Sequence, residues 1–192
     1  MDRWKEEGSA KALSVTGCLA QRYKEEILKE IPEVDAVLGT TSWEDIVPVV
    51  KGLMEEKKET HMTCFHSLEE LSGTGKPRIL TTGGHYAYLK IAEGCDKRCT
   101  YCIIPYLRGP YRSVPMEDLV REAEELAGQG VKELILVAQE TTLYGVDLYG
   151  KKSLPQLLER LSGIPGIYWI RIQYCYPEEI TDELIETIHS QE

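Results

Sequence analysis

The sequence predicts an α/β protein in two parts: a partial doubly wound N-terminal domain, then the first βα units of a partial TIM-type barrel or an open sheet. Three observations carry this. Short β-rich runs alternate with segments whose apolar residues recur at helical spacing, the alternation that builds parallel sheets with helices on their faces. Residues 61–82 hold Ser72-Gly73-Thr74-Gly75-Lys76-Pro77 and no clean periodicity, so they read as a linker between residues 1–60 and 83–192. Beyond it, three successive βα units imply parallel strands joined by right-handed crossovers.

Each element follows from its local chemistry. Lys11-Ala12-Leu13-Ser14-Val15-Thr16 is strand-like and runs into Gly17-Cys18, after which Leu19, Tyr23, Ile27 and Leu28 recur at helical spacing until Pro32. Residues 34–38 form a short buried strand. Ile46, Val49, Val50, Leu53 and Met54 then mark one face of a second helix, which dissolves into the charged stretch 55–60. These elements make half of a doubly wound domain. Past the linker, His85-Tyr86-Ala87-Tyr88-Leu89-Lys90-Ile91 is a strand and a cysteine-bearing loop follows. Pro115 opens a helix with Leu119, Val120, Ala123, Leu126 and Ala127 facing inward, closed by Gly128 and Gly130. Residues 132–139 are the next strand, and Ser153-Leu154-Pro155-Gln156 has the form of a capping box ahead of a helix faced by Leu157, Leu158 and Leu161. Residues 167–174 make the third strand. It leads past Pro177 to a helix capped by Thr181 and packed through Leu184, Ile185 and Ile188. Three βα units cannot close a barrel, and the chain stops inside a helix at Ser190-Gln191-Glu192, so a fragment is expected.

With 192 residues, 42% of them hydrophobic, the chain can build one ordinary core or two small ones. Its longest apolar runs fall far short of the roughly 20 residues of a membrane span, and Met1-Asp2-Arg3-Trp4-Lys5-Glu6-Glu7 lacks the layout of a signal peptide. A cytoplasmic location without membrane contact is expected. Thiols stay reduced there, so six cysteines at uneven spacing point to metal binding or catalysis rather than to disulfides. The formal charge of −10 argues against nucleic acid as a partner of this segment. It suits a basic protein partner, and it serves plain solubility equally well.

The chemistry concentrates in Cys95-x3-Cys99-x2-Cys102, one short loop directly after a strand, where three sulfurs can converge without long-range folding. Soft thiolates select zinc, Cu(I) or iron–sulfur. A structural zinc would take a fourth ligand, commonly from a second C-x2-C pair, and a ferredoxin would use four thiolates in a different order; neither pattern is present. Three ligands leave one metal position open, which catalysis needs.

Cys95-x3-Cys99-Thr100-Tyr101-Cys102, with an aromatic residue before the last cysteine, resembles the signature of the radical S-adenosylmethionine (SAM) superfamily. The resemblance implies a [4Fe-4S] cluster on Cys95, Cys99 and Cys102, with the amino and carboxylate groups of S-adenosylmethionine on the open iron and Tyr101 against the adenine. It also implies that the reduced cluster cleaves S-adenosylmethionine to a deoxyadenosyl radical, and that Gln139 and Glu140 contact its methionine part. The surrounding words narrow the family. Tyr88-Leu89-Lys90-Ile91-Ala92-Glu93-Gly94-Cys95, Ile103-Ile104-Pro105 with Arg108-Gly109, and Arg112-Ser113 resemble methylthiotransferases. Ala138-Gln139-Glu140-Thr141-Thr142-Leu143-Tyr144-Gly145-Val146-Asp147 and Ile172-Gln173-Tyr174-Cys175-Tyr176-Pro177 are most similar to the branch that modifies a ribosomal protein rather than tRNA. The implied reaction adds a methylthio group to the β-carbon of an aspartate in a small-subunit ribosomal protein, with a separate sulfur donor. Val15-Thr16-Gly17-Cys18-Leu19-Ala20-Gln21-Arg22-Tyr23 is also similar to the family, in which Cys18 is the last of three cysteines holding a second [4Fe-4S] cluster. The other two are absent from this chain, and Cys64 matches no family position; on the sequence alone Cys18 reads as an inert core cysteine.

Other residues are weaker candidates. Gln139 and Glu140 end a strand, where a helix-capping or solvated role competes with a cofactor contact. Lys97, Arg98, Arg108 and Arg112 flank the cysteine loop and could offset its negative charge, or be solvated. His85 opens its strand, Cys175 reads as core, and Glu122, Glu124 and Glu125 are the wet face of their helix. Thr82-Gly83-Gly84 precedes a strand, so it is not a phosphate loop. Two other functions stay open: a tRNA isopentenyladenosine methylthiotransferase, and a non-catalytic iron–sulfur or zinc module.

Overall fold

Three β-prone triplets, Ser14–Thr16 (β1), Ala36–Leu38 (β2) and Met62–Cys64 (β3), pair in parallel with β2 in the middle. The computed structural model describes residues 5, 7–55, 61–71, 73, 78–81 and 83–191. Ala36, Val37 and Leu38 are all fully buried, as a central strand covered on both faces requires. Val37 packs with Ala20 and Val34 on one face, and Ala36 and Leu38 pack with Val49 on the other.

Two expectations change here. The helix read from Leu19 to Leu28 is two, Cys18–Tyr23 (α1) and Glu26–Glu30 (α2), because Lys24 adopts φ 45° and interrupts the ladder. β3 lies inside the stretch read as a linker. Its backbone continues the pairing through the Met62 N–H to the Asp35 carbonyl at 2.8 Å, yet three residues are too few to display a period of two. Ser72 and residues 74–77 of the linker motif, and Thr82 of the glycine turn, lie outside the described residues. Ile46–Met54 (α3) fulfils its expectation, preceded by a 3₁₀ turn at Trp43–Asp45. Ile104–Arg108 (α4) belongs to the same unit, where the Thr40 hydroxyl donates to the Leu107 carbonyl at 2.9 Å.

The other unit, Gly73–Thr100 with Pro110–Glu192, is built on Tyr86–Lys90 (β4). An antiparallel pair follows, Ala92–Glu93 (β5) with Arg112–Ser113 (β6), then Glu133–Val137 (β7) and Trp169–Ile172 (β8). β4, β7 and β8 form one parallel sheet with β7 central, the start of a barrel or open sheet. The helices are Met116–Gly128 (α5), Val146–Tyr149 (α6), Leu154–Ser162 (α7) and Asp182–Ser190 (α8). Leu119, Ala123 and Leu126 of α5 are buried, and so are Leu154, Leu157 and Leu161 of α7. Among the described residues no helix is long and apolar enough to cross a membrane.

The helix caps divide. Thr181 accepts from the Leu184 N–H at 3.2 Å, the expected N-cap of α8. Ser153 stands at the N-cap of α7 without capping it: its hydroxyl donates to the Lys151 carbonyl at 3.1 Å, while the Gln156 amide is taken by Glu183 at 2.9 Å. The capping box therefore does not form.

β8 ends the sheet and leaves an open edge, along which a cavity of about 670 Å³ runs between Ile170 and Ile188. Tyr168 and Trp169 on this edge are 79% and 62% exposed. An exposed, aromatic edge strand is a template for pairing with another chain. We expect the 192-residue chain to self-associate with rising concentration and Trp169→Lys to shift it toward monomer, as measured by light scattering.

Candidate active site

The cysteine loop begins where β5 ends. Cys95, Cys99 and Cys102 are all half-buried and in no disulfide; Cys95 and Cys99 count with the second unit and Cys102 with the first. The β5–β6 pair joins Ala92 to Ser113 and Glu93 to Arg112, drawing together the two ends of the segment that carries them. No alternation in sequence announces two strands of two residues each.

Lys97, between Cys95 and Cys99, ties the loop to the carboxyl rim of the parallel sheet. Its Nζ lies 2.9 Å from Glu179 Oε1, 3.7 Å from Glu140 Oε2 and 4.0 Å from the centre of the Tyr176 ring. Desolvation pulls this ammonium down, but the hydrogen bond and charge of Glu179, with the charge of Glu140, raise it above its ordinary value. Asp96 accepts from the Tyr111 N–H at 3.2 Å, and Tyr176 Oη stands 3.6 Å from Cys99 Sγ. Lys97 is thus an anchor rather than a solvated loop cation.

Glu140 is fully buried, which excludes the solvated role. It accepts from the Thr142 N–H at 3.1 Å, from the Thr142 hydroxyl and from the Tyr176 N–H at 3.4 Å. Tyr111 donates its phenol to the Glu140 carbonyl at 2.8 Å, and burial, reinforced by the charge of Asp147, pushes that phenol well above its ordinary pKa, so it stays a donor. Two atoms at this strand end, Gln139 Oε1 and Glu140 Oε2, are buried without a hydrogen-bond partner among the described residues. Buried acceptors of that kind are costly unless something else satisfies them. Gly145 closes the rim at φ 88°, where an added Cβ would meet Ser153 Cβ at 2.6 Å, so only glycine fits.

Glu179 carries a pH dependence. Hydrogen bonds from Lys152 and Lys97 lower its pKa from 4.5 to about 2. The stabilisation is fully present above about pH 4.5 and is lost as pH falls through about 2. We expect Glu179→Gln to flatten that part of the acid-unfolding curve, followed by tryptophan fluorescence.

The remaining candidates divide. Tyr101 is 89% exposed. Cys18 is half-buried at the start of α1, past the carboxyl end of β1. His85 has a local role, its Nδ1 3.0 Å from the Gly83 carbonyl and its ring edge-on to Tyr86. Cys175 lies beyond the end of β8 and is half-buried rather than core, because its thiol pairs with the Thr141 hydroxyl at 3.3 Å. Tyr111 and Glu179 stand in none of the sequence motifs, and Tyr176 stands in one that gave it no role of its own. Only the position of Tyr176 and Glu179 past the carboxyl end of a strand could have signalled them.

A family model described as the Radical SAM superfamily matches residues 89–191. The chain belongs to the radical SAM superfamily. The radical SAM match begins within β4 and takes in all three loop cysteines, Lys97, Glu140 and Tyr176. A protein of Lachnoclostridium phytofermentans named "Ribosomal protein uS12 methylthiotransferase RimO" is 64% identical over 192 residues, covering 100% of this chain and 43% of its own length. The protein of that name from Acetivibrio thermocellus is 55% identical over 187 residues, covering 94% and 41%. This radical SAM chain therefore spans less than half the length of these relatives. A solved radical SAM methyltransferase, TsrM from Kitasatospora setae, shares 19% identity at a TM-score of 0.46 over 63% of this chain and 24% of its own, a likeness too slight to argue from.

Proposed function

We propose that this radical SAM chain is the cluster-bearing part of a methylthiotransferase that adds a methylthio group to the β-carbon of an aspartate in ribosomal protein uS12. The carrying observation is Cys95-x3-Cys99-Thr100-Tyr101-Cys102 within a sequence 64% identical to a protein named for that reaction. The donor set fits a [4Fe-4S] cluster: three half-buried cysteines in one loop, none in a disulfide, with no fourth cysteine in the loop to close the site. When bound, the cluster supplies the single electron that cleaves S-adenosylmethionine and opens abstraction of hydrogen from an unreactive carbon.

The chain's own residues hold and orient. Cys95, Cys99 and Cys102 are the cluster ligands, and exposed Tyr101 is available to lie against the adenine. Gln139 Oε1 and Glu140 Oε2, buried and without a hydrogen-bond donor among the described residues, are suited to receive the amino end of S-adenosylmethionine. Lys97 keeps Glu140 in place and brings a positive charge into the cysteine loop. Cys18, near the positive end of α1, contributes one thiolate to a second [4Fe-4S] cluster whose other ligands come from outside this chain. The methylthio sulfur comes from a separate donor.

The test uses the full-length protein containing this chain, reconstituted anaerobically and incubated with S-adenosylmethionine, sulfide and either uS12 or tRNA. A methylthio mass gain on uS12 is expected. Modification of tRNA alone overturns the substrate assignment. One tightly held zinc, with no cluster spectrum that responds to S-adenosylmethionine, overturns the enzyme assignment.

A further inference from the structure

We propose that Asp45, Cys64 and His66 form a binding site for a zinc-class divalent metal ion, separate from the cysteine loop. The site stands on the carboxyl edge of the first sheet. Asp45 stands at the N-cap position of α3, in the connection that follows β2, Cys64 ends β3 and His66 lies two residues on. Ligands of open parallel sheets gather at this edge.

The three ligand atoms converge. Among the described residues this is the one group of three His, Cys, Asp or Glu side chains whose ligand atoms all lie within 4.8 Å of one another. Cys64 Sγ is 3.6 Å from Asp45 Oδ2 and 3.7 Å from His66 Nε2, and Nε2 is 2.5 Å from Oδ2. Tetrahedral zinc, with bonds of about 2.3 Å to sulfur and about 2.0–2.1 Å to nitrogen and oxygen, separates its ligand atoms by roughly 3.4–3.6 Å. Two of the three edges have that length already. The third has the length of a hydrogen bond, and an ion that enters between imidazole and carboxylate must spread the pair by about 1 Å. Both side chains have room to turn, being 49% and 35% exposed.

A catalytic cysteine arrangement would look different. In a Cys–His–Asp relay the thiol faces one ring nitrogen and the carboxylate orients the other. Here thiol and carboxylate both meet Nε2, the convergence expected around a metal ion. One sulfur, one imidazole and one carboxylate make a borderline donor set, which favours zinc over calcium or magnesium, with their all-oxygen shells, and over Cu(I), with its soft ligands.

The surroundings are built for it. Ser42 Oγ accepts the His66 N–H at 2.8 Å and the Thr41 hydroxyl donates to the His66 carbonyl at 3.2 Å, fixing the backbone that carries the imidazole. The Gly39 N–H to the Cys64 carbonyl at 2.8 Å does the same for the thiol. A cavity of about 240 Å³ opens beside the ligands, lined by Glu44 and Glu70, which attract a cation and leave space for water at a fourth coordination position.

The test uses the whole chain carrying Cys95→Ser, Cys99→Ser and Cys102→Ser, so that the loop cannot compete, titrated anaerobically with Co(II) and then Zn(II). One equivalent of Co(II) should bind with thiolate-to-cobalt charge-transfer absorption and the ligand-field bands of a tetrahedral ion, and Zn(II) should displace it. Cys64→Ser should lose the charge-transfer band, and His66→Gln and Asp45→Asn should bind roughly a hundredfold more weakly or worse. If Cys64→Ser fails to fold, the exposed His66→Gln decides: zinc should raise the melting temperature of the parent and leave that of His66→Gln unmoved. Absence of a one-equivalent, thiolate-ligated Co(II) species, or its persistence unweakened in His66→Gln, overturns the proposal.

Discussion

Cys99→Ala is expected to abolish the loop cluster. Where anaerobic reconstitution loads the unchanged chain with about four irons and four sulfides, the variant should keep neither the iron nor the charge-transfer spectrum at that site. The physical reason is the ligand count. In the proposed site, three thiolates and one open iron leave no spare protein ligand, and Cys175, the next cysteine in sequence, is engaged with the Thr141 hydroxyl at 3.3 Å beyond β8. Cys175→Ala is the matched control and should retain full loading. Iron content in Cys99→Ala equal to that of the control would sink the ligand assignment.

Lys97→Met should have the next largest effect, on stability and on the site together. The substitution keeps most of the side-chain volume and removes the charge that faces Glu140 at 3.7 Å and Glu179 at 2.9 Å. Stripping one partner from a fully buried ion pair costs about 3–5 kcal/mol; about 2 kcal/mol is expected here, because Lys97 retains 24% of its side-chain exposure. For a chain of this size that corresponds to a fall of roughly 4–8 °C in melting temperature. Anaerobically reconstituted variant should also show a broadened response of the cluster spectrum to S-adenosylmethionine, since the loop has lost its tie to the rim. A melting temperature unchanged within a degree would show that Glu140 finds another partner and that Lys97 is dispensable.

What could be read from sequence follows from the range over which each signal acts. The strands around Leu89, Leu136 and Ile172 and helices α5, α7 and α8 were legible, because their apolar periodicity spans several turns or a whole buried run, whereas the single turn of α6 offers no such pattern. The three-cysteine loop, the proposed ligand set, stands out in the sequence because covalent spacing within one loop is itself a constraint. β3 was not: Met62-Thr63-Cys64 becomes a strand through its partner β2, which local pattern does not contain. Lys24 broke a helix whose apolar spacing ran straight through it. Glu140 could be placed at a strand end, but that it lies fully buried beside Lys97 and Tyr176 depends on contacts 36 to 43 positions away in sequence. Asp45, Cys64 and His66 failed to register for the same reason, since about twenty residues and a strand crossing separate the carboxylate from the thiol.

The short antiparallel clasp of β5 on β6 has a consequence for how such a site can change. It holds the base of the cysteine loop at Ala92 and Ser113, so the chain between them begins and ends at fixed points whatever its contents. Doubling the length of a segment with fixed ends adds only about 0.6 kcal/mol of closure cost. Insertions between the last cysteine and β6 should therefore leave the registry of β4 against β7 untouched. The cysteine spacing, set within eight residues from Cys95 to Cys102, would stay as it is through such an insertion.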